Sequence, residues 1–121
     1  KDVAYLYKPL HLAVLRTLRF VTEAARQAAI PVSMCGEMAG EPLYTLVLLG
    51  LGFSELSMNG PSIPLVKKVI RAASAADGRA LLERLLQLTA ADEIEYEVRA
   101  EMARRFPGLL ESDSAVGPVA G

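Results

Sequence analysis

Residues 33–40, Ser-Met-Cys-Gly-Glu-Met-Ala-Gly, contain the only cysteine in the chain. Cys35 ends a short apolar run and is followed directly by Gly36 and the acidic Glu37. In βα proteins, the loops at the C-terminal ends of strands hold the reactive groups. The stretch therefore predicts a strand over residues 31–36 that ends at the rim of an active site.

Outward from this strand, the hydrophobic spacing predicts six more elements and a tail. A second strand is expected over 53–58, helices over 10–29, 42–50, 62–73, 75–88 and 90–106, and a flexible tail over 107–121. The helix over 42–50 is nearly apolar, which predicts burial on most of its sides. In the first helix, the predicted apolar side includes Leu15 and Val21. Ser74 and Thr89 each precede an aspartate by three positions, so they are expected to cap the last two helices.

The two predicted strands define the fold class as α/β with a predominance of helix. Two strands joined through a helix are expected to lie parallel, as in a βαβ unit. A sheet of only two parallel strands leaves backbone groups unpaired at both edges. Further sequence, or another copy of the chain, is therefore expected to cover those edges.

Size and composition exclude several classes of protein. A chain of 121 residues, 52% of them hydrophobic, forms at most one domain. The net charge of −1 gives no basic surface for nucleic acid, and no apolar stretch approaches the roughly 18 residues that a membrane span needs. One cysteine cannot form an internal disulfide, which favours the cytoplasm. The start at Lys1 predicts a piece of a longer protein.

Four motifs, in order along the chain, resemble the phosphoenolpyruvate (PEP)-utilising enzymes. Among these, the resemblance is to Enzyme I of the bacterial phosphotransferase system, the PEP–protein phosphotransferases. The motifs are Leu6-Tyr-Lys-Pro-Leu-His11, Met34-Cys-Gly-Glu-Met-Ala-Gly40, Leu48-Leu-Gly-Leu-Gly52 with Glu55-Leu-Ser-Met58, and Ile63-Pro-Leu-Val-Lys-Lys-Val-Ile-Arg71. The resemblance covers residues 3 to 73, with a weaker helical similarity to 106.

The resemblance implies a fold larger than this chain. Residues 1–106 would form the C-terminal part of a PEP-binding (β/α)8 (TIM) barrel, namely its last two βα units and a helical extension. A whole barrel needs about 250 residues, so most of it would lie upstream. Members of this family are also expected to form homodimers.

The resemblance also implies a role for each residue of the rim. Cys35 would donate a proton to the enolate that remains when PEP loses its phosphoryl group. A thiol has an ordinary pKa near 8.5, so it can donate and accept a proton near neutrality. Gly36 would let the backbone approach the substrate, and Glu37 would orient the thiol or hold its proton.

Other parts of the family's machinery are expected outside this chain. The family transfers phosphoryl from PEP to its own histidine and then to a histidine phosphocarrier protein, either HPr-like or of the nitrogen type. That histidine, the Mg²⁺ ligands and the phosphate-binding arginines are expected upstream, and His11 is not the phosphocarrier. We therefore expect no metal ligand in this chain, no cofactor bound to it and no turnover by it alone.

Several alternatives remain open from the sequence. Pyruvate phosphate dikinase and PEP synthase would use the same thiol, and an association or regulatory module would use none. Without the motifs, Cys35 would be interpreted as a small buried apolar residue. Lys67, Lys68 and Arg71 are interpreted as a solvated helix face. The run from Ser57 to Gly60 resembles the nitrogen branch of the family more than the sugar-transport branch.

Overall fold

The structure, a computed structural model, describes residues 9–109, which form six helices and a two-stranded sheet. In chain order the elements are α1 (Leu12–Gln27), β1 (Ser33–Cys35), α2 (Glu37–Gly40), α3 (Thr45–Leu51), β2 (Glu55–Ser57), α4 (Ile63–Ala72), α5 (Ala75–Leu85) and α6 (Ala91–Arg105). Single 3₁₀ turns, Pro42–Tyr44 and Gly60–Ser62, precede α3 and α4. None of these helices is long and apolar enough to cross a bilayer.

The two strands pair in parallel, as predicted, but each is only three residues long. Met34 lies opposite Leu56, and both half-buried side chains pack against the hydrophobic core. Cys35 lies opposite Ser57, and both are exposed on the other face. No third strand joins this sheet within residues 9–109. The parallel pair and the predominance of helix agree with the predicted fold class, while membership of these elements in a (β/α)8 barrel remains a prediction.

The centre of the core is α3, which confirms the predicted burial of the apolar segment that follows residue 42. Leu46, Val47 and Leu48 have no exposed surface. Helix α5 crosses α3 so closely that a Cβ added at Gly78 would lie 2.6 Å from the backbone nitrogen of Gly50. Glycine is thus required on both helices by the space between two backbones.

Most predicted helix boundaries shift by one to three residues, and two of the shifts change how a helix begins or ends. Gly50 was expected to help end the apolar helix, but it lies inside α3 at the crossing with α5. Gly52, with φ of 99°, forms the left-handed end instead. Helix α6 begins after Ala90 rather than Thr89, and the carboxylate of Glu93 accepts from the Ala90 backbone N–H at 3.4 Å. A glutamate three residues beyond the cap has therefore displaced the predicted aspartate box.

The predicted cap of α5 is confirmed. The hydroxyl of Ser74 accepts a hydrogen bond from the Asp77 N–H at 3.1 Å, and the Asp77 carboxylate accepts from the Ser74 N–H at 3.0 Å. These reciprocal bonds form a capping box with aspartate in place of glutamate. These hydrogen bonds lower the pKa of Asp77, and the charge of Arg105 lowers it further.

A buried carboxylate joins α5 to α6. Glu101 is 3% exposed and binds Arg84 across the helix pair at 2.7 Å, together with Arg104 and Arg105 from its own helix. Burial would raise the pKa of Glu101, but the hydrogen bonds and charges of the three arginines outweigh it and hold the pKa below its usual range. The carboxylate is therefore ionised and fully paired at neutral pH.

Two further differences from prediction concern helix α1 and the predicted tail. Val21 was expected on the buried side of α1, but it is 44% exposed beside Phe20, which is 75% exposed, and Thr22 is buried instead. Of the predicted tail over 107–121, Leu109 is buried against the core, and residues 110–121 lie outside the described residues.

Candidate functional site

The C-terminal ends of both strands open into one cleft of about 600 Å³. Nine residues line it, namely Cys35, Gly36, Glu37, Gly40, Glu41, Ser57, Met58, Asn59 and Ser62. Each is either the last residue of a strand or part of the short segment that follows it, which after β1 includes α2. The three residues predicted from the sequence, Cys35, Gly36 and Glu37, therefore lie together, at the edge where the sequence placed them.

Cys35 is a free thiol at the last position of β1. Its side chain is exposed, so the interpretation of Cys35 as a buried apolar residue is wrong. In the parallel register it lies beside Ser57, on the face of the sheet that is turned away from the core. A thiol in this position is accessible to a molecule bound in the cleft.

Gly36 turns the chain from β1 into the loop. Its φ of 96° and ψ of −166° lie in a region that residues with a side chain rarely adopt. A Cβ there would meet no described atom within 4 Å, so the backbone conformation, not lack of space within this chain, requires glycine. The turn directs Glu37 into a four-residue helix, α2, at the rim of the cleft, where its side chain is exposed.

The segments that follow the two strands contact each other where they line the cleft. A Cβ added at Gly40 would lie 3.2 Å from both Met58 Cβ and Ser62 Oγ. Real Cβ contacts are seldom this short, so glycine allows the loop after β1 to approach the loop after β2. This contact fixes the width of the cleft.

On the β2 side of the cleft, a side-chain amide closes the turn that follows the strand. The Oδ1 atom of Asn59 accepts from the backbone N–H of Ser62 at 3.3 Å and from its hydroxyl at 2.9 Å. Asn59 thereby caps the 3₁₀ turn Gly60–Ser62 that leads into α4. Ser57, Asn59 and Ser62 were not predicted as site residues, although the signal was present, because Asn59-Gly60-Pro61 directly follows the second predicted strand.

A hydrogen bond to α6 anchors the other end of the loop. The hydroxyl of Tyr44 lies 3.1 and 3.2 Å from the two carboxylate oxygens of Glu95, to which it donates. Arg99 binds the same carboxylate at 3.0 Å. Burial and the charge of Glu95 raise the pKa of Tyr44, so the phenol remains protonated. The segment from Cys35 to Tyr44 is thus held at both ends.

Other candidate residues lie away from the cleft. His11 is exposed just before α1, and Lys67, Lys68 and Arg71 are exposed on α4; none of these four lines the cleft. Among residues 9–109, no three His, Cys, Asp or Glu side chains are grouped so that they could hold a metal ion.

Comparison with known proteins places the cleft inside a matched region. A family model described as the PEP-binding domain of PEP-utilising enzymes matches residues 1–76. The chain is 40% identical over 108 residues to a Salmonella typhimurium protein named phosphoenolpyruvate-dependent phosphotransferase system, covering 89% of this chain and 14% of that protein. It is 39% identical over 93 residues to the phosphoenolpyruvate-protein phosphotransferase of Haemophilus influenzae, covering 77% of the chain and 16% of the relative.

A third relative shows a similar identity and coverage. The phosphoenolpyruvate-protein phosphotransferase of Bacillus subtilis is 38% identical over 92 residues, which is 76% of this chain and 16% of that protein. The chain therefore spans less than a fifth of the length of the relatives it matches.

Proposed function

Since the chain belongs to the PEP-utilising enzymes, matching their PEP-binding domain over residues 1–76, we propose that it is part of a PEP–protein phosphotransferase. The whole protein would transfer phosphoryl from PEP to its own histidine and then to a histidine phosphocarrier protein, HPr-like or of the nitrogen type. The single observation that best supports this proposal is the exposed thiol of Cys35 at the strand end, inside the cleft and inside the matched region.

Cys35 would act as the proton donor in this reaction. Transfer of the phosphoryl group breaks the bond between phosphorus and the enol oxygen and leaves the enolate of pyruvate. The Cys35 S–H would then give its proton to the methylene carbon, forming the methyl group of pyruvate and leaving a thiolate. In the reverse direction the thiolate would remove that proton. A thiol exposed to the cleft meets the requirement of access for both steps.

Gly36 and Glu37 would support the thiol. The left-handed backbone of Gly36 ends β1 directly after Cys35, so the thiol lies at the end of the strand, at the edge of the cleft. Glu37 follows at the start of α2 and would orient the thiol or relay its proton to solvent. Magnesium would supply charge neutralisation at the phosphate in the whole enzyme, with its ligands in other segments. We therefore propose that this chain alone does not turn over PEP.

Further strands of the same protein would complete the fold. Within residues 9–109 the sheet has two strands and therefore two open edges. Six more strands would close it into a (β/α)8 barrel with the cleft at the C-terminal face, where barrel enzymes place their active sites. This 121-residue chain has one cysteine and thus no internal disulfide, and the protein is proposed to work in the cytoplasm.

Self-association is a second candidate role, supported by the open edges and by Phe20 and Ile30, which are 75% and 60% exposed. The apolar helix α3 gives no support to this role, because the chain's own core buries most of its side chains. Sedimentation of the chain would detect a dimer. A stable folded monomer at micromolar concentration would contradict this role.

The main proposal can be tested in a host protein. The matching 108-residue segment of the Escherichia coli relative, 40% identical, would be replaced by this chain, and pyruvate release from PEP would be measured. Cys35→Ser is expected to lower the rate at least about 100-fold, the usual contribution of a positioned proton donor. Ser33→Ala, on the same strand but outside the cleft, is the matched control and is expected to stay within about twofold. Normal pyruvate release by Cys35→Ser would contradict the proposal.

A further inference from the structure

We infer that the side-chain amide of Asn59 donates a hydrogen bond to an anionic oxygen of the substrate, an inference that rests on the proposed function. Asn59 lines the cleft with Cys35, on the loop that follows the neighbouring strand. A contact of this kind would set the affinity for the substrate rather than the proton transfer.

The orientation of the amide is fixed by its neighbour in the turn. A backbone N–H can only donate, so the Asn59 atom that faces the Ser62 N–H must be the oxygen. The Ser62 hydroxyl donates to the same oxygen. The amide nitrogen therefore points away from the turn and has two hydrogens to offer.

These two hydrogens have no acceptor in the described part of the chain. The hydrogen bonds of Asn59 with residues 9–109 all go to its oxygen. The acceptor that the amide can take is then solvent or a molecule bound in the cleft. Because the nitrogen cannot turn back without losing two bonds to Ser62, the donor is oriented before any ligand binds.

The residues that line the cleft leave the binding of an anion to uncharged hydrogen-bond donors on this side of the site. The side chains that line it include two carboxylates, Glu37 and Glu41, and no lysine or arginine. The described lining therefore offers no cation to an anion such as PEP, and uncharged N–H and O–H groups are the donors that it can contribute. Asn59 is the one lining residue with a side-chain N–H, which makes it the principal amide donor of this wall.

Capping the turn does not require that donor, and this separates the two roles. A cap needs only an acceptor, which aspartate and serine supply as well as asparagine. In the host protein described above, we would compare Asn59→Asp and Asn59→Ser with the native residue. We expect KM for PEP to rise about 15-fold in Asn59→Ser, as for loss of a hydrogen bond to a charged group, and about 50-fold in Asn59→Asp, where a carboxylate also repels the anion. We expect kcat to stay within about threefold.

Gly60→Asp is the matched control for charge. It places a carboxylate one residue further along, outside the lining of the cleft, where a Cβ meets nothing within 4 Å. We expect KM to change less than about threefold. Thermal unfolding of the 121-residue chain should be the same for Asn59→Asp and the native chain, while Asn59→Ala should melt lower because the cap is lost.

Competition experiments would identify the oxygen concerned. Weaker inhibition of Asn59→Ser by pyruvate would place the contact at the carboxylate, and weaker inhibition by inorganic phosphate would place it at the phosphate. Unchanged inhibition by both would count against the inference. So would a native KM in Asn59→Ser, or an equal rise in Asn59→Asp and Gly60→Asp. A native host that releases no pyruvate would instead overturn the proposed function, and this inference with it.

Discussion

The helical half of the molecule and its cleft wall are built in opposite ways. The helical half, α3, α5 and α6, has a core of side chains without exposed surface, a backbone contact between Gly50 and Gly78, and a buried carboxylate paired with three arginines. The cleft wall, β1 and β2 with the loops after them, has two three-residue strands that are exposed on one face. Within residues 9–109 the helical half thus buries its own core, whereas the cleft wall leaves one face of its strands exposed.

This difference indicates a division of roles. The helical half stabilises the fold and, through the Tyr44–Glu95 hydrogen bond, fixes the position of the loop after Cys35. The cleft wall presents a thiol and several polar groups on an exposed face. We therefore expect substitutions in the helical half to change the free energy of unfolding and substitutions in the cleft wall to change function.

The largest expected loss of stability comes from Gly78→Ala. The added Cβ would lie 2.6 Å from the Gly50 nitrogen and 2.7 Å from the Leu46 carbonyl oxygen, so the two helices must separate. We expect urea unfolding to show a loss of about 3 kcal/mol, although alanine normally favours a helix. Gly60→Ala, where the Cβ meets nothing within 4 Å, is the control and should change little. Equal stability of both variants would contradict the close crossing.

Glu101→Gln is expected to cost about 2 kcal/mol, because three arginines lose a charged hydrogen-bond acceptor that is 3% exposed. The pKa of Glu101 is lowered on folding, so its contribution is present above the unfolded pKa near 4.3 and is lost as the pH falls through the folded value. The native chain and the variant should therefore converge in stability as the pH falls below the folded pKa of Glu101. Glu23→Gln removes an exposed partner of Arg26 and serves as the control. A difference that persists at low pH would point to packing instead of charge.

Tyr44→Phe tests the connection between the two regions and should have a smaller effect, about 1 kcal/mol in urea unfolding. The ring keeps its packing, but the hydrogen bond to Glu95 is lost. Tyr96→Phe, whose side chain is 72% exposed on the same helix, is the matched control. If both variants unfold like the native chain, the anchor contributes nothing.

The smallest effect is expected in the cleft wall itself. Ser57→Ala removes an exposed hydroxyl beside Cys35, and urea unfolding should change by less than about 0.5 kcal/mol. A loss comparable to that of Gly78→Ala would erase the distinction between the two regions.

The sequence predicted the order of the major helices and strands because their hydrophobic periods are strong. It missed α2, since the four residues Glu37–Gly40 are too few to show a period. It placed Val21 on the wrong side of α1, because apolar spacing does not say which neighbours are present to cover a helix. The tight approach of Gly50 to Gly78 depends on helix packing, which no local pattern encodes.

The site residues that follow β1 were predictable from the sequence, and those that follow β2 were not. Cys35, Gly36 and Glu37 are contiguous and follow one strand, so a local motif was sufficient to group them. Asn59 and Ser62 enter the same cleft only because β2 pairs with β1 in parallel. The direction of the Asn59 amide depends further on a hydrogen bond to a residue three positions later.

The central claim is that the cleft wall is one side of a site whose other side lies in further strands, while the helical half is complete. Amide hydrogen exchange, compared between the 121-residue chain and the host protein, tests this most directly. We predict that Thr45–Leu51 and Ala75–Leu85 are protected equally in both, and that Ser33–Cys35 and Glu55–Ser57 exchange at least about tenfold more slowly in the host. Equal protection of the strands in the isolated chain at low concentration would contradict the claim.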